Sequence, residues 1–219
     1  RQVLVLDTRG NTGAHSGEGC IPYAGHHVER DHVCGGNLLA APGVWDSMSA
    51  AFRRAKGPLA ERMLAALDAA EKEGGDIRGR QAAAILVVKG TSSGRPWADR
   101  VFDLRVEDHP DPLRELRRLV GVQRAYNHMG KGDDCVTARD WTCAEREYGL
   151  AASTQPENAE MAFWHAVALA SNGKLDQAGP LFSKAFAADP RWRELVRRLP
   201  AVDQLPKDPT LLEKILAIK

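Results

Sequence analysis

The stretch "EDHPDP", Glu107 to Pro112, divides this chain more sharply than any other. Asp108, Pro110, Asp111 and Pro112 all disfavour the interior of regular structure, and the hydrophobic period changes across them. Upstream, short apolar runs separated by turn residues are interleaved with helical stripes. Downstream, only the helical period remains. The pattern predicts an α+β domain over residues 1–110 followed by an all-helical tail over residues 111–219.

In the first part, Gln2 to Thr8 and Thr12 to Ser16 flank the turn-forming triplet Arg9-Gly10-Asn11 and read as a hairpin. A mixed, glycine-punctuated stretch follows to Asn37. Val44, Met48 and Phe52 then recur every four residues, as do Leu59, Met63 and Leu67 after Gly57-Pro58, which predicts two amphipathic helices. Beyond them, "AAAILVV" and the alternating "VFDLRV" read as a second hairpin, its first strand buried on both faces and its second half solvated. Strand, strand, helix, helix, strand, strand is the order of a layered domain with helices packed on a sheet.

The tail carries an internal repeat. Ala144, Tyr148, Ala151 and Pro156 recur as Ala178, Phe182, Ala185 and Pro190, each pair 34 residues apart (178 − 144 = 34). That is the tetratricopeptide period, with small residues where paired helices touch and a proline ending the second helix. "NAEMAFWHAVALASNGKLDQAGPLFSKAFAADP" forms one whole helix-turn-helix unit, and the earlier copy is clear in its second helix. Two units fall short of the ~3 that stand alone, so flanking helices, Leu113 to Tyr126 and Trp192 to Leu199, are expected to cap them.

Charge is balanced, with 30 basic against 29 acidic residues, and no basic patch is interleaved with aromatics, so the chain lacks a nucleic-acid footprint. No apolar run reaches the ~20 residues that span a bilayer. The first residues open in mid-strand with neither Met nor a signal peptide, which implies a chain that begins inside a domain. Of four cysteines, Cys135 and Cys143 flank the polar "VTARDWT" and could bridge locally, which would favour an extracytoplasmic home; no C-x-x-C pair suggests zinc.

The densest polar chemistry lies at the entrance to "AAAILVV". Asp76, Arg78, Arg80 and Gln81 stand there among Gly74, Gly75 and Gly79. Two guanidiniums beside a carboxylate suit a carboxylate-bearing substrate, with Asp76 holding one of them in place. The same residues also suit an ion-pair network that closes a helix-to-strand loop. His15, Ser16 and Cys20 lie close in sequence but lack a recognised nucleophile elbow. His26, His27, Asp31 and His32 have no spacing that imposes one helical face, so they read as a solvated loop and not as a metal site. Asp108-His109 reads as a turn, and Trp164, Phe182 and Trp192 as helical core.

"SGEGCIPYAGH", "GGNLLA", "GPLAERMLAALDAAEKEGGDIRGRQAAAILVV", "DLRVEDHPDPLRELRRL" and "AEMAFWHAVALA" together resemble the family called domain of unknown function 1028. The resemblance implies a domain similar to N-terminal-nucleophile (Ntn) hydrolases, here the C-terminal part of an αββα sandwich, and a helical tail of a kind described as peptidoglycan-binding. It implies an amide-bond hydrolase without cofactor, acting on a small amide or peptide. Its nucleophilic Thr or Ser would lie in a segment before Arg1, because Arg1 cannot serve. In such chemistry Gly36 and Asn37 are the first choice for oxyanion or substrate donors, although a glycine turn with a capping Asn explains them as well. The alternative is a non-catalytic module that binds a peptide, glycan or protein through its tail. On either reading the four strands expected here are too few for a sandwich, so residues 1–219 alone should expose the first strand and "AAAILVV".

Overall fold

The computed structural model describes all residues, Arg1–Lys219, as a mixed α+β chain with small antiparallel sheets. It divides into two compact units, Arg1–Val120 and Gly121–Lys219. No helix is long and apolar enough to cross a membrane.

The first unit contains three hairpins and two helices. Strands β1 (Gln2–Leu6) and β2 (Thr12–Ser16) pair with Val3 opposite His15. Strands β3 (Gly25–Glu29) and β4 (His32–Gly36) pair with His27 opposite Cys34, a hairpin absent from the sequence-based expectation. Its two-residue turn depends on Asp31 at φ 68°, the left-handed region that Asp tolerates better than most residues. Gly25 is required inside β3, since the Trp45 ring lies 2.4 Å from where a Cβ would be. Helices α1 (Val44–Arg54) and α2 (Leu59–Lys72) pack on each other, α1 also meets β3 and β4, and α2 meets β5 (Ala83–Val88). Strand β5 pairs with β6 (Arg100–Val106), with Ile85 opposite Leu104.

Three expectations are corrected here. Strand β5 is not buried on both faces. Ile85 is buried against Leu64, Phe102, Val106, Leu116 and Val120, whereas Leu86 and Val88 are more than half exposed. Helix α2 buries Ala60, Leu64 and Ala66, and the stripe Leu59, Met63 and Leu67 is less covered than that face. The strand count rises from four to six.

Helix α3 (Pro112–Thr137) starts in the first unit and continues into the second, where α4 (Trp141–Thr154), α5 (Ala159–Ser171) and α6 (Leu175–Ala188) follow. Helix α5 packs between α4 and α6, and its face of Phe163, Ala166, Val167 and Ala170 is wholly or nearly wholly buried. All six apolar residues of the 34-residue repeat are buried: Ala144, Tyr148, Ala151, Ala178, Phe182 and Ala185. Gly132 lets Tyr148 approach, since a Cβ there would lie 2.3 Å from the ring, and the phenol donates to Asp133 at 2.7 Å. Burial together with that bond pushes the Tyr148 pKa up. Helix α7 (Arg191–Arg198), a short 3₁₀ turn at Leu199–Val202 and α8 (Pro209–Leu216) complete the unit.

A disulfide joins Cys135 near the end of α3 to Cys143 in the first turn of α4, eight residues on. Closing so short a loop restricts the unfolded chain by about 2.5 kcal/mol. Replacing both cysteines by serine should therefore lower the stability of the second unit by about that amount in urea titrations at unchanged slope, and an unchanged midpoint would show that the bridge adds nothing.

Candidate functional site

The polar strand entrance is built by the end of α2. Gly74 N–H donates to Glu71 O at 3.1 Å and Gly75 N–H reaches back to Ala70 O at 2.9 Å, the double closure of a Schellman cap. Both glycines have positive φ, 112° and 59°, which explains why two stand in succession. The chain leaving this cap pairs with the chain leaving β4. Ala40 N–H donates to Gly75 O and Ile77 N–H donates to Leu38 O, both at 2.9 Å, and Leu39 forms an isolated antiparallel bridge with Asp76. At this junction Leu38 holds φ at 57°, a conformation that costs a residue with a Cβ about 1–3 kcal/mol.

Asp76, Arg78, Arg80 and Gln81 all line one open cleft of about 530 Å³, together with Gly79, Ala82 and Asp108. Asp76 accepts from Arg78 through both carboxylate oxygens, from Nε at 2.9 Å and Nη2 at 2.7 Å, and also from the Arg78 backbone N–H at 2.8 Å. The guanidinium, then the backbone bond, holds the Asp76 carboxyl down to about 2. Arg80 Nε donates to Glu71, a partner nine residues back on α2 that sequence spacing did not indicate. The Arg78 side chain is 68% exposed, so Asp76 fixes its orientation without removing it from solvent. Gln81 contributes its backbone carbonyl, which accepts from His109 N–H at 2.9 Å, and His109 Nδ1 in turn accepts from Asp111 N–H.

Asn37 and Gly36 do not line that cleft. They lie on the other chain of the junction, beside a second polar group. Gln2 Nε2 lies within bonding distance of Ser16 Oγ at 2.7 Å, Gly25 O at 2.8 Å and Gly36 O at 3.2 Å, and Gln2 Oε1 accepts from Asn37 Nδ2 at 3.4 Å. Ser16 Oγ is 2.9 Å from His26 Nδ1. The exposed Asn37 amide is thus only loosely engaged, whereas Gly36 gives its carbonyl to the network and not an N–H. The His15-Ser16-Cys20 grouping is not assembled. His15 and Ser16 are neighbours on a strand and point to opposite faces, and Ser16 takes His26 instead. The remaining histidines disperse, His27 to Asp46 and Glu29, and His32 to Ser49. No three His, Cys, Asp or Glu side chains converge on a metal position.

Residues 1–116 match the family of unknown function DUF1028, and the chain belongs to that family. A crystal structure of the Silicibacter pomeroyi protein SPO2555, described as DUF1028, is 30% identical, with a TM-score of 0.45, and the match covers 54% of this chain and 49% of that one. The chain therefore spans about half the length of that relative. No curated protein matches.

The Asp76–Arg78 pair gives a direct test. A carboxyl depressed in the folded state contributes stability above its unfolded pKa and loses it as pH falls through the folded value, so the contribution of Asp76 should fade between about 4 and about 2. In carboxyl-carbon NMR titrations Asp76 should titrate near 2 in the native protein and return toward about 3.9 in Arg78→Ala. A midpoint unmoved by the substitution would mean that Arg78 does not hold it.

Proposed function

We propose that this DUF1028 chain carries the substrate-binding part of an amide-bond hydrolase of the N-terminal-nucleophile type, with its nucleophile outside residues 1–219. The observation that carries the reading is the Asp76-braced Arg78 in an open cleft, one backbone junction away from the Asn37 amide. A guanidinium held on one edge by a carboxylate is oriented for a second anion, such as the carboxylate of an amide substrate. Arg80 adds to this, since its exposed pair with Glu71 is of the kind that contributes little and exchanges readily. Asn37 Nδ2, weakly held by Gln2, is the donor available to a scissile carbonyl, and donors of this kind are worth about 10²–10³ in kcat where they meet a developing oxyanion. Gln81 completes the polar lining of the cleft, and Gly36, whose carbonyl accepts from Gln2, supplies no donor to it. The αββα sandwich belongs to the same proposal, with residues 1–110 as its C-terminal part.

A second reading rests on the tail. The buried 34-residue repeat supports a tetratricopeptide-like stack, and a cleft of about 550 Å³ beside Arg139, Trp141, Gln204 and Lys207 offers it a surface for a peptide or for peptidoglycan. The Cys135–Cys143 bridge fits an oxidising, extracytoplasmic setting for either reading.

Titration with N-acetyl amino acids and with their carboxamides, followed by amide NMR, separates the two. The hydrolase reading predicts shifts at Gly75 to Gln81 and at Asn37 with the free carboxylates, and binding weaker by at least about tenfold for the carboxamides and for Arg78→Ala. Equal responses to both ligand sets would remove Arg78 from the site. Cosedimentation with purified peptidoglycan, abolished in Trp141→Ala, would favour the tail.

A further inference from the structure

The second unit holds a small pocket where α3, α4 and α5 meet. Its volume is about 80 Å³, room for a group of about three non-hydrogen atoms. Three aromatic rings line it, Trp141 and Tyr148 of α4 and Trp164 of α5, over a nearly wholly buried apolar floor at Val167 and Ala168. The Tyr148 and Trp164 ring centroids are 6.5 Å apart. Asp133 of α3 is the one charged side chain of the lining. The buried Tyr148 hydroxyl donates to its Oδ1 at 2.7 Å, which orients the carboxylate and leaves Oδ2 to a ligand. A pocket with aromatic walls and one carboxylate suits a cation on an apolar stem, because ring faces attract positive charge, the carboxylate pairs with it and the walls cover the methylenes. A neutral group would leave the carboxylate unused, and an anion would be repelled by it.

Two further observations bear on what carries the cation. Val136, Thr137 and Trp141 stand inside the loop closed by the Cys135–Cys143 bridge, so that side of the pocket is tied covalently to α4. Thr137 and Trp141 also line the open cleft of about 550 Å³, which makes the pocket the deep end of a larger groove. The cations of that groove do not oppose a positive ligand in the pocket, since Lys207 is paired with Asp203 at 2.9 Å and Arg139 lines the groove alone. We propose that the pocket takes the ammonium end of a lysine side chain, carried by a peptide that lies in the open cleft. Asp133 Oδ2 accepts from the ammonium, and Trp141 and Trp164 flank the last methylenes of the stem. This site rests on the tail reading, to which it adds the side chain that the peptide must offer, and it uses none of Asn37, Asp76, Arg78 or Arg80.

The test uses the whole 219-residue chain with acetyl-Gly-Lys-Gly-amide, the same peptide acetylated at the lysine Nζ, and n-butylammonium. Binding is read from the indole N–H signals of Trp141 and Trp164 in NMR titrations. At millimolar concentration the lysine peptide should shift both signals, and its acetylated form and n-butylammonium should bind at least about tenfold more weakly. Asp133→Asn, whose amide oxygen still accepts from Tyr148, should weaken the lysine peptide by about tenfold or more and leave the acetylated one unchanged. Equal binding of the two peptides would overturn the ammonium site and still leave a peptide in the open cleft. No shift of either indole with any ligand would overturn the site and the tail reading together. n-Butylammonium bound as tightly as the lysine peptide would overturn the peptide as carrier, in favour of a free amine.

Discussion

The junction between the chain leaving β4 and the chain leaving α2 is the constraint on which the rest of the first unit depends. Two backbone hydrogen bonds of 2.9 Å and one antiparallel bridge join Leu38–Ala40 to Gly75–Ile77. They hold Leu38 in the left-handed region, and they set the α2–β5 loop beside the β4 exit. Without them the side chains of Asp76, Arg78 and Arg80 would sit on a loop free to wander from Asn37. With them, a local bidentate pair and a loosely held amide sit on the two chains that this junction joins.

The same unit is less finished elsewhere. Helices α1 and α2 each carry more apolar surface than the three hairpins cover. One face of α2 meets the β5–β6 hairpin through Leu64, and the stripe Leu59, Met63 and Leu67 lines an apolar cleft with Met48 and Phe52 of α1. The hairpins form three separate two-stranded sheets, and no single sheet spans the two helices. The tail differs. Its helices bury their repeat residues against each other, and Phe163 packs edge-on against Phe182 and close to Trp192.

Much of this was legible in the sequence where the signal is a period. The β1–β2 and β5–β6 hairpins, α1, α2 and the paired helices α5 and α6 lie where spacing placed them. The β3–β4 hairpin was not legible, because Gly25, Gly35 and Gly36 dilute its alternation and its turn rests on the backbone tolerance of Asp31. Strand β5 was misread as doubly covered for a simple reason: hydrophobicity shows what a strand can bury, and cover depends on what else is present. The Asp76–Arg78 pair could be anticipated from a separation of two residues. Arg80 with Glu71 and Ser16 with His26 could not, since each pair is brought together by a turn of unknown geometry.

Whether the two loops form one structure can be read from amide hydrogen exchange at Ile77 and Ala40. Both donors bond across the junction, to Leu38 O and Gly75 O. These two amides should be protected together and to the same degree as the β3–β4 hairpin, and Leu38→Pro, which distorts that point of the backbone, should release both at once. Exchange of Ile77 and Ala40 at the rate of an unstructured loop in the native protein would contradict it.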